Sequence, residues 1–225
     1  MTAPARGIAA FDFDGTLVPG DSLPRYLTRL IGRRRFAAVL SASGPAMLAG
    51  YRLAGRDGAK AALLLRAVAG IEAERAVEVG ESFAAVLAGE IRASMAGRVA
   101  WHRDQGHNLV LVSASLGLYL QPFGRLTGFD EVIATALEVD PGGRLTGRIL
   151  GANVRAEQKA VLLRELVGDE PAILWAYGDS RGDREMLAMA DHPTLLGRRR
   201  RQAARGGRGG GSDSQAGIRP QWTDG

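Results

Sequence analysis

Four places in this 225-residue chain offer reactive side chains, three of them where an apolar run stops. The first is AAFDFDGTLVPGD, residues 9–21, where Asp12 and Asp14 sit two apart ahead of Gly15. Alternate residues of a strand face the same way, so both carboxylates start on one face. Two carboxylates held close repel unless one is protonated or a cation lies between them. A turn at Gly15 frees backbone N–H groups to receive an anion. That set suits metal-assisted attack on a phosphate. An acidic loop that merely closes a strand is the alternative.

The second place is NLVLVSAS, residues 108–115, which stops at Ser113 with the backbone of Ala114 beyond it. A serine there donates to an anion or simply caps the following helix. The third is Lys159. The chain holds 27 arginines and two lysines, Lys60 and Lys159, so a retained lysine suggests a need for a compact ammonium. An ordinary surface lysine is the other reading. The fourth is AYGDSRGDREML, residues 176–187, where Asp179 and Asp183 follow another apolar run. Either could be a helix N-cap. Two parallel strands ending in acids would instead aim both pairs into one crevice. Oxygen ligands with room for water suit Mg²⁺ there.

These residues need a scaffold that brings strand ends together. Residues 7–13, 108–114, 130–136 and 172–178 read as short buried strands. Helical patterns lie at 97–105, 116–126, 156–167 and 183–190, and residues 136–149 read as a hairpin turning at Asp140-Pro141-Gly142-Gly143. The alternation predicts an α/β fold, a doubly wound parallel (Rossmann-like) sheet. Residues 22–95 are Ala/Leu/Arg-rich and helical, without strand signal. They predict a helical cap inserted after the first strand, over the edge where such folds bind ligands. The expected division is a core of residues 1–21 and 96–197, a cap of 22–95, and an Arg/Gly-rich disordered tail of 198–225.

Composition narrows the classes. There is no cysteine, which removes disulfides, thiolate metal sites and cysteine nucleophiles. The net charge of +5 resides in the tail, where seven arginines face two aspartates after Gly197, so the body is neutral. The N-terminus lacks the pattern of a signal peptide. The longest uncharged run, residues 36–51, is shorter than the ~20 residues a spanning helix needs, and Ser43-Gly44-Pro45 is expected to interrupt it. It reads as a buried or partner-facing helix, with contact at a membrane surface the lesser alternative. A cytoplasmic protein without a transmembrane segment is expected.

With DFDGT, Ser113, Lys159 and GDSRGD in this order, the chain resembles the haloacid dehalogenase superfamily, over roughly residues 8–193. The helical insert after the first motif is similar to its subfamily IB, the phosphoserine-phosphatase-like hydrolases. The resemblance implies a Mg²⁺-dependent phosphatase acting on a small phosphorylated metabolite. Asp12 would be the nucleophile that forms an aspartyl-phosphate, and Asp14 the general acid and then base. Asp12, the Asp14 backbone carbonyl, Asp179 and Asp183 would hold Mg²⁺. Ser113, with Ala114, would bind the phosphoryl group, and Lys159 would balance its charge.

Some residues depart from the phosphoserine enzymes. Gly15 stands where they carry serine, Ala114-Ser115 where they carry two glycines, and Val154 where the family carries cysteine. Asp21 falls at their substrate-binding acid and also suits an N-cap. Arg56 and Lys60 are the candidates for their cap arginine, though a solvated helix face accounts for both. After Leu196 the chain turns to Arg/Gly sequence, which reads as a tail or as an altered reading frame near residues 194–197. Two other functions stay open: phosphoryl transfer to an alcohol from the same intermediate, and RNA binding by the tail. The neutral body predicts no specific nucleic-acid contact of its own. Oligomeric state is not encoded in any motif.

Overall fold

The computed structural model describes residues 6–196, so the tail expected at 198–225 lies outside the described residues. The elements in order are β1 (Arg6–Phe11), α1 (Ser22–Ile31), α2 (Arg33–Ala67), α3 (Ala73–Ala88), α4 (Ala93–Asp104), β2 (Asn108–Leu116), α5 (Gly117–Thr127), β3 (Glu131–Val139), β4 (Leu145–Leu150), α6 (Glu157–Val167), β5 (Ala172–Gly178), a single 3₁₀ turn (Arg181–Asp183), α7 (Arg184–Ala188) and β6 (His192–Leu195). The six strands form one sheet in the order β4-β3-β2-β1-β5-β6. All neighbours are parallel except β3 and β4, the expected hairpin.

The strand sequences explain the layering. Ile8, Ala9, Ala10 and Phe11 of β1 are all fully buried. Because alternate residues point to opposite faces, Ala9 and Phe11 join one apolar cluster while Ile8 and Ala10 join another. β2 divides likewise, Leu109 and Leu111 to the first cluster, Val110 and Val112 to the second. A strand apolar on both sides requires helices on both faces, which the intervening helices supply. α3 and α5 cover the larger cluster, with Phe83, Tyr119 and Phe123 among its buried rings. α6 and α7 cover the smaller, through Leu163, Met186 and Leu187.

Three features differ from the sequence expectation. β1 ends at Phe11, so Asp12 and Asp14 lie on the connecting loop. The helical run does not break at Ser43-Gly44-Pro45. Pro45 and Ser41 are both exposed, so water can take the carbonyl that the proline ring excludes. The chain instead reverses at Ala54 (φ −137, ψ 25) and Gly55 (φ 59, ψ −142), and α2 is two helical halves folded back on each other. β6, four residues long and containing Pro193, has no strand signature; a proline is tolerated because β6 is an edge strand.

Behind the sheet's working edge lies a buried ring cluster. His102 is fully buried, with Nε2 2.8 Å from the Tyr177 hydroxyl and Nδ1 2.8 Å from His107 Nδ1. Burial, reinforced by His107 and Arg98, pushes His102 down from 6.5 to about 4. Below pH 6.5 the unfolded chain takes up a proton that the fold refuses, so stability falls progressively as pH drops from 6.5 to about 4. The melting temperature should decline across that window, and His102→Gln should flatten the decline in a pH series of thermal melts. An unchanged slope in the variant would remove His102 as its source.

Candidate active site

Three adjacent strands end at the same edge of the sheet. The register sets Phe11 of β1 beside Leu111 of β2 and Tyr177 of β5. Asp12, Ser113 and Asp179 each follow within two residues of that line. α6 starts at the same edge and brings Lys159 in its first turn, and the 3₁₀ turn brings Asp183.

Asp12 is almost wholly buried. Its Oδ1 accepts from Lys159 Nζ at 2.5 Å and its Oδ2 from the Thr16 hydroxyl at 2.9 Å. The same ammonium donates to Asp183 Oδ1 at 2.6 Å. Burial raises Asp12 above the usual carboxylate range, Lys159 pulls it back, and Asp183 adds to the rise. For Lys159 burial alone would lower the ammonium, but Asp12 and Asp183 outweigh it and hold it above its ordinary value. Asp183 Oδ2 accepts from the Ser180 hydroxyl at 2.7 Å and the Ser180 N–H at 3.0 Å, while Ser180 Oγ caps Gly182 N–H at 3.1 Å. This reciprocal box fixes the turn that carries Asp179 and Asp183.

One carboxylate oxygen from each of Asp12, Asp179 and Asp183 lies within 4.8 Å of the other two. Such a set of hard oxygen donors fits a divalent cation such as Mg²⁺. Three carboxylates against one ammonium leave a formal charge of minus two when all are ionised, which a divalent ion would neutralise. Gly15 makes the convergence possible. Its φ is +86, and a Cβ there would come within 2.3 Å of Asp179 Oδ2, so a side chain would push that carboxylate out of the cluster.

The Asp14 side chain is not part of this cluster. Its Oδ1 accepts from Ser22 N–H at 2.8 Å. Its Oδ2 accepts from Ser22 Oγ at 3.1 Å and from the Ser115 hydroxyl. Ser22 Oγ in turn lies 2.8 Å from the Tyr119 hydroxyl. Burial pushes Asp14 up to about 6 despite these donors. The sequence expectation of two carboxylates on one strand face, repelling or sharing a cation, is therefore corrected. The loop after β1 turns Asp12 toward Lys159 and Asp14 toward a cage of hydroxyls.

Ser113 is buried in β2, its Oγ accepting from Ser115 N–H at 3.1 Å. The Ala114 carbonyl accepts from Thr135 Oγ1 at 2.9 Å and from Lys60 Nζ. Lys60, on the returning half of α2, also donates to Asn153 Oδ1 at 2.6 Å, and Asn153 donates to Asp57 at 2.9 Å. Burial lowers Lys60 to about 8, against the pull of Asp57, Asp21 and Asp14. Lys60 thus ties the insert to the core and is not on a solvated helix face; Arg56 is exposed. Asp21 is the N-cap of α1, accepting from Leu23 N–H at 3.1 Å.

Thr16, Ser22, Ser115, Tyr119, Ser180 and Asn153 escaped the sequence reading. Ser115 had a signal, since it is two beyond Ser113 on the same strand. So did Ser180, whose spacing to Asp183 is that of a capping box. Ser22 and Tyr119 had none: the loop that folds Ser22 back on Asp14 and the packing that brings Tyr119 to Ser22 carry no sequence pattern.

Such a fold, a parallel α/β sheet with acids and a lysine at its carboxyl edge and helices inserted after the first strand, defines a class of hydrolases. The family model for haloacid dehalogenase-like hydrolases matches residues 9–188, and the chain belongs to that family. It is 37% identical over 186 residues to Protein CicA of Caulobacter vibrioides, covering 82% of this chain and 83% of that one. It is 30% identical over 209 residues to a probable phosphatase of Mycobacterium tuberculosis, covering 87% of this chain and 70% of that one. A phosphoserine phosphatase solved with an analogue of its phospho-aspartyl intermediate shares the fold, with a TM-score of 0.57 at 19% identity over 83% of this chain and 84% of that one.

Gly15→Ala should displace Asp179 and weaken binding of Mg²⁺ by roughly tenfold or more, as loss of a supporting contact does. Calorimetric titration with Mg²⁺ measures this. Undiminished affinity would show that Asp179 tolerates the displacement or holds no cation.

Proposed function

We propose that this protein is a Mg²⁺-dependent phosphatase that hydrolyses a small phosphorylated metabolite through an aspartyl-phosphate on Asp12. One observation carries the reading: oxygens of Asp12, Asp179 and Asp183 converge within 4.8 Å, and a buried lysine bridges two of them. That set neutralises charge where an anionic nucleophile must approach an anionic ester. The family and the relatives named as phosphatases support it.

Asp12, Asp179, Asp183 and the Asp14 backbone carbonyl would hold Mg²⁺, which supplies Lewis-acid stabilisation of the phosphoryl oxygens. The Asp12 carboxylate, fixed by Thr16 and Lys159, attacks phosphorus and the ester P–O bond breaks. Asp14 gives its proton to the departing alkoxide. It then removes a proton from the water that cleaves the acyl phosphate and regenerates Asp12. A carboxyl group at about 6 is suited to both roles near neutrality. Ser113, the Ala114 backbone and Lys159 bind the phosphoryl oxygens. Residues 22–95 form the cap and residues 1–21 with 96–197 the core; Asp21, where the core meets the cap, and Arg56 and Lys60 within the cap would select the leaving group.

The test is phosphate release from a panel of phosphorylated metabolites, with and without Mg²⁺. Asp12→Asn should abolish turnover with an unchanged melting curve, and Asp14→Asn should lower kcat about 10²- to 10⁴-fold. Lys159→Arg should also be severe, since a planar fork does not fit where a compact ammonium bridges two carboxylates. Mg²⁺-dependent release surviving in Asp12→Asn would overturn the assignment. Phosphate delivered to an added alcohol would mark transfer in place of hydrolysis.

The pH dependence has a fixed sign. Asp14 must be protonated to serve the leaving group, so formation of the aspartyl-phosphate should slow as pH rises through about 6. A rapid-quench burst measured across pH reads that step, and Asp14→Asn should abolish its falling limb.

A further inference from the structure

The outgoing half of α2 has an unusual surface. Residues 36–51 carry no charge in sixteen positions. Phe36, Val39, Ser43 and Met47 turn toward the body and are buried or half-buried. Its exposed positions are apolar too: Leu40, Leu48 and Tyr51 are 45%, 52% and 56% exposed, Ala38, Ala42 and Ala49 fill the side opposite the buried stripe, and Leu53, 88% exposed, stands near the tip. A helix face turned to water normally carries charged residues. Here the charges stand at the two ends instead. Arg33, Arg34 and Arg35 precede the apolar face, Arg52 and Arg56 follow it, and all five are exposed. None of the five pairs with an acid among the described residues. Across residues 33–66 there are seven basic side chains and one acid, Asp57. That acid is turned to Asn153 and Arg155 of the core.

The two halves of α2 form a stiff hairpin. A Cβ at Gly50 would lie 2.5 Å from the Gly58 carbonyl oxygen, so the backbones touch where the halves pass. Its tip borders a cleft of about 560 Å³ lined by Ala54, Asp57, Asn153 and Arg155.

We propose that residues 33–56 are a docking arm for a bilayer surface bearing anionic headgroups. No helix among the described residues is long and apolar enough to cross a membrane, so the arm would lie in the interfacial plane. An apolar face bracketed by arginines is the pattern that binds there. Charge selects this occupant over a second copy of the chain. Pairing two arms would set one unpaired arginine cluster against another, whereas anionic headgroups complement both ends. The proposal does not depend on which reaction the site performs.

The chain has no cysteine, so a single one carries a label uniquely. In the full chain, Leu48→Cys bearing an environment-sensitive fluorophore is mixed with vesicles of phosphatidylglycerol and phosphatidylcholine in equal parts, or of phosphatidylcholine alone. Its emission should shift to the blue with the anionic vesicles only. The same label at Glu81→Cys, exposed on α3, should not shift. Arg33→Ser with Arg34→Ser and Arg35→Ser should weaken vesicle binding more than roughly tenfold. Leu40→Asp with Leu48→Asp should weaken it about tenfold, with hydrolysis of a small soluble ester unchanged. Each variant keeps the C-terminal arginines, so their contribution is common to all samples. An unshifted Leu48 label with anionic vesicles overturns the proposal. So does a dimer, seen by light scattering without vesicles, that the paired aspartates split.

Discussion

A buried ammonium between two carboxylates governs this molecule. Lys159 bridges Asp12 and Asp183 where all three side chains are shut from water. Removing the lysine would leave two carboxylates uncompensated in a low-dielectric crevice, the costly case for a buried ion pair. The strand order meets that demand: β1, β2 and β5 are neighbours, so residues distant in sequence end at one edge. With Asp179 added, three carboxylates face one ammonium. The deficit of positive charge is what a bound divalent cation would make good.

The two aspartates of DFDG show how environment divides identical side chains. Asp12 faces a cation and a threonine hydroxyl, and its carboxylate is pinned at both oxygens. Asp14 faces only hydroxyls and an amide, and burial raises it to about 6. One of those donors, Ser22, opens the first inserted helix, and another, Ser115, comes from β2. The insert therefore takes part in setting the acidity of Asp14 as well as covering it. Lys60 makes a second join between insert and core, reaching the carbonyl of the residue after Ser113. Motion of the insert would be felt at both points.

Much of the scaffold was legible from local pattern. Apolar runs bounded by glycine or polar residues located four strands, and Ala172–Gly178 was read to the residue. The hairpin followed from Asp140-Pro141-Gly142-Gly143, and the helical insert from the absence of any period-two signal. The failures were local too. A proline on a water-facing side need not stop a helix, so residues 43–45 misled, while the true reversal at Ala54-Gly55 looked like ordinary helix. β6 was too short and too proline-marked to register.

The sequence by itself determined which groups were available: two acid pairs and one serine, each placed where an apolar run must end, and one rare lysine at the start of a helix. Period two and the chain's alternation of strands and helices were enough to send them to a common edge. Only the tertiary structure decided the partnerships. It grouped Asp12 with Asp179 and Asp183, and it surrounded Asp14 with Ser22, Ser115 and Tyr119. It drew Lys60 into the core and left the apolar half of α2 facing water. Most of those outcomes depend on which surfaces meet across dozens of residues of separation, and distances of that kind leave no periodic trace along the chain.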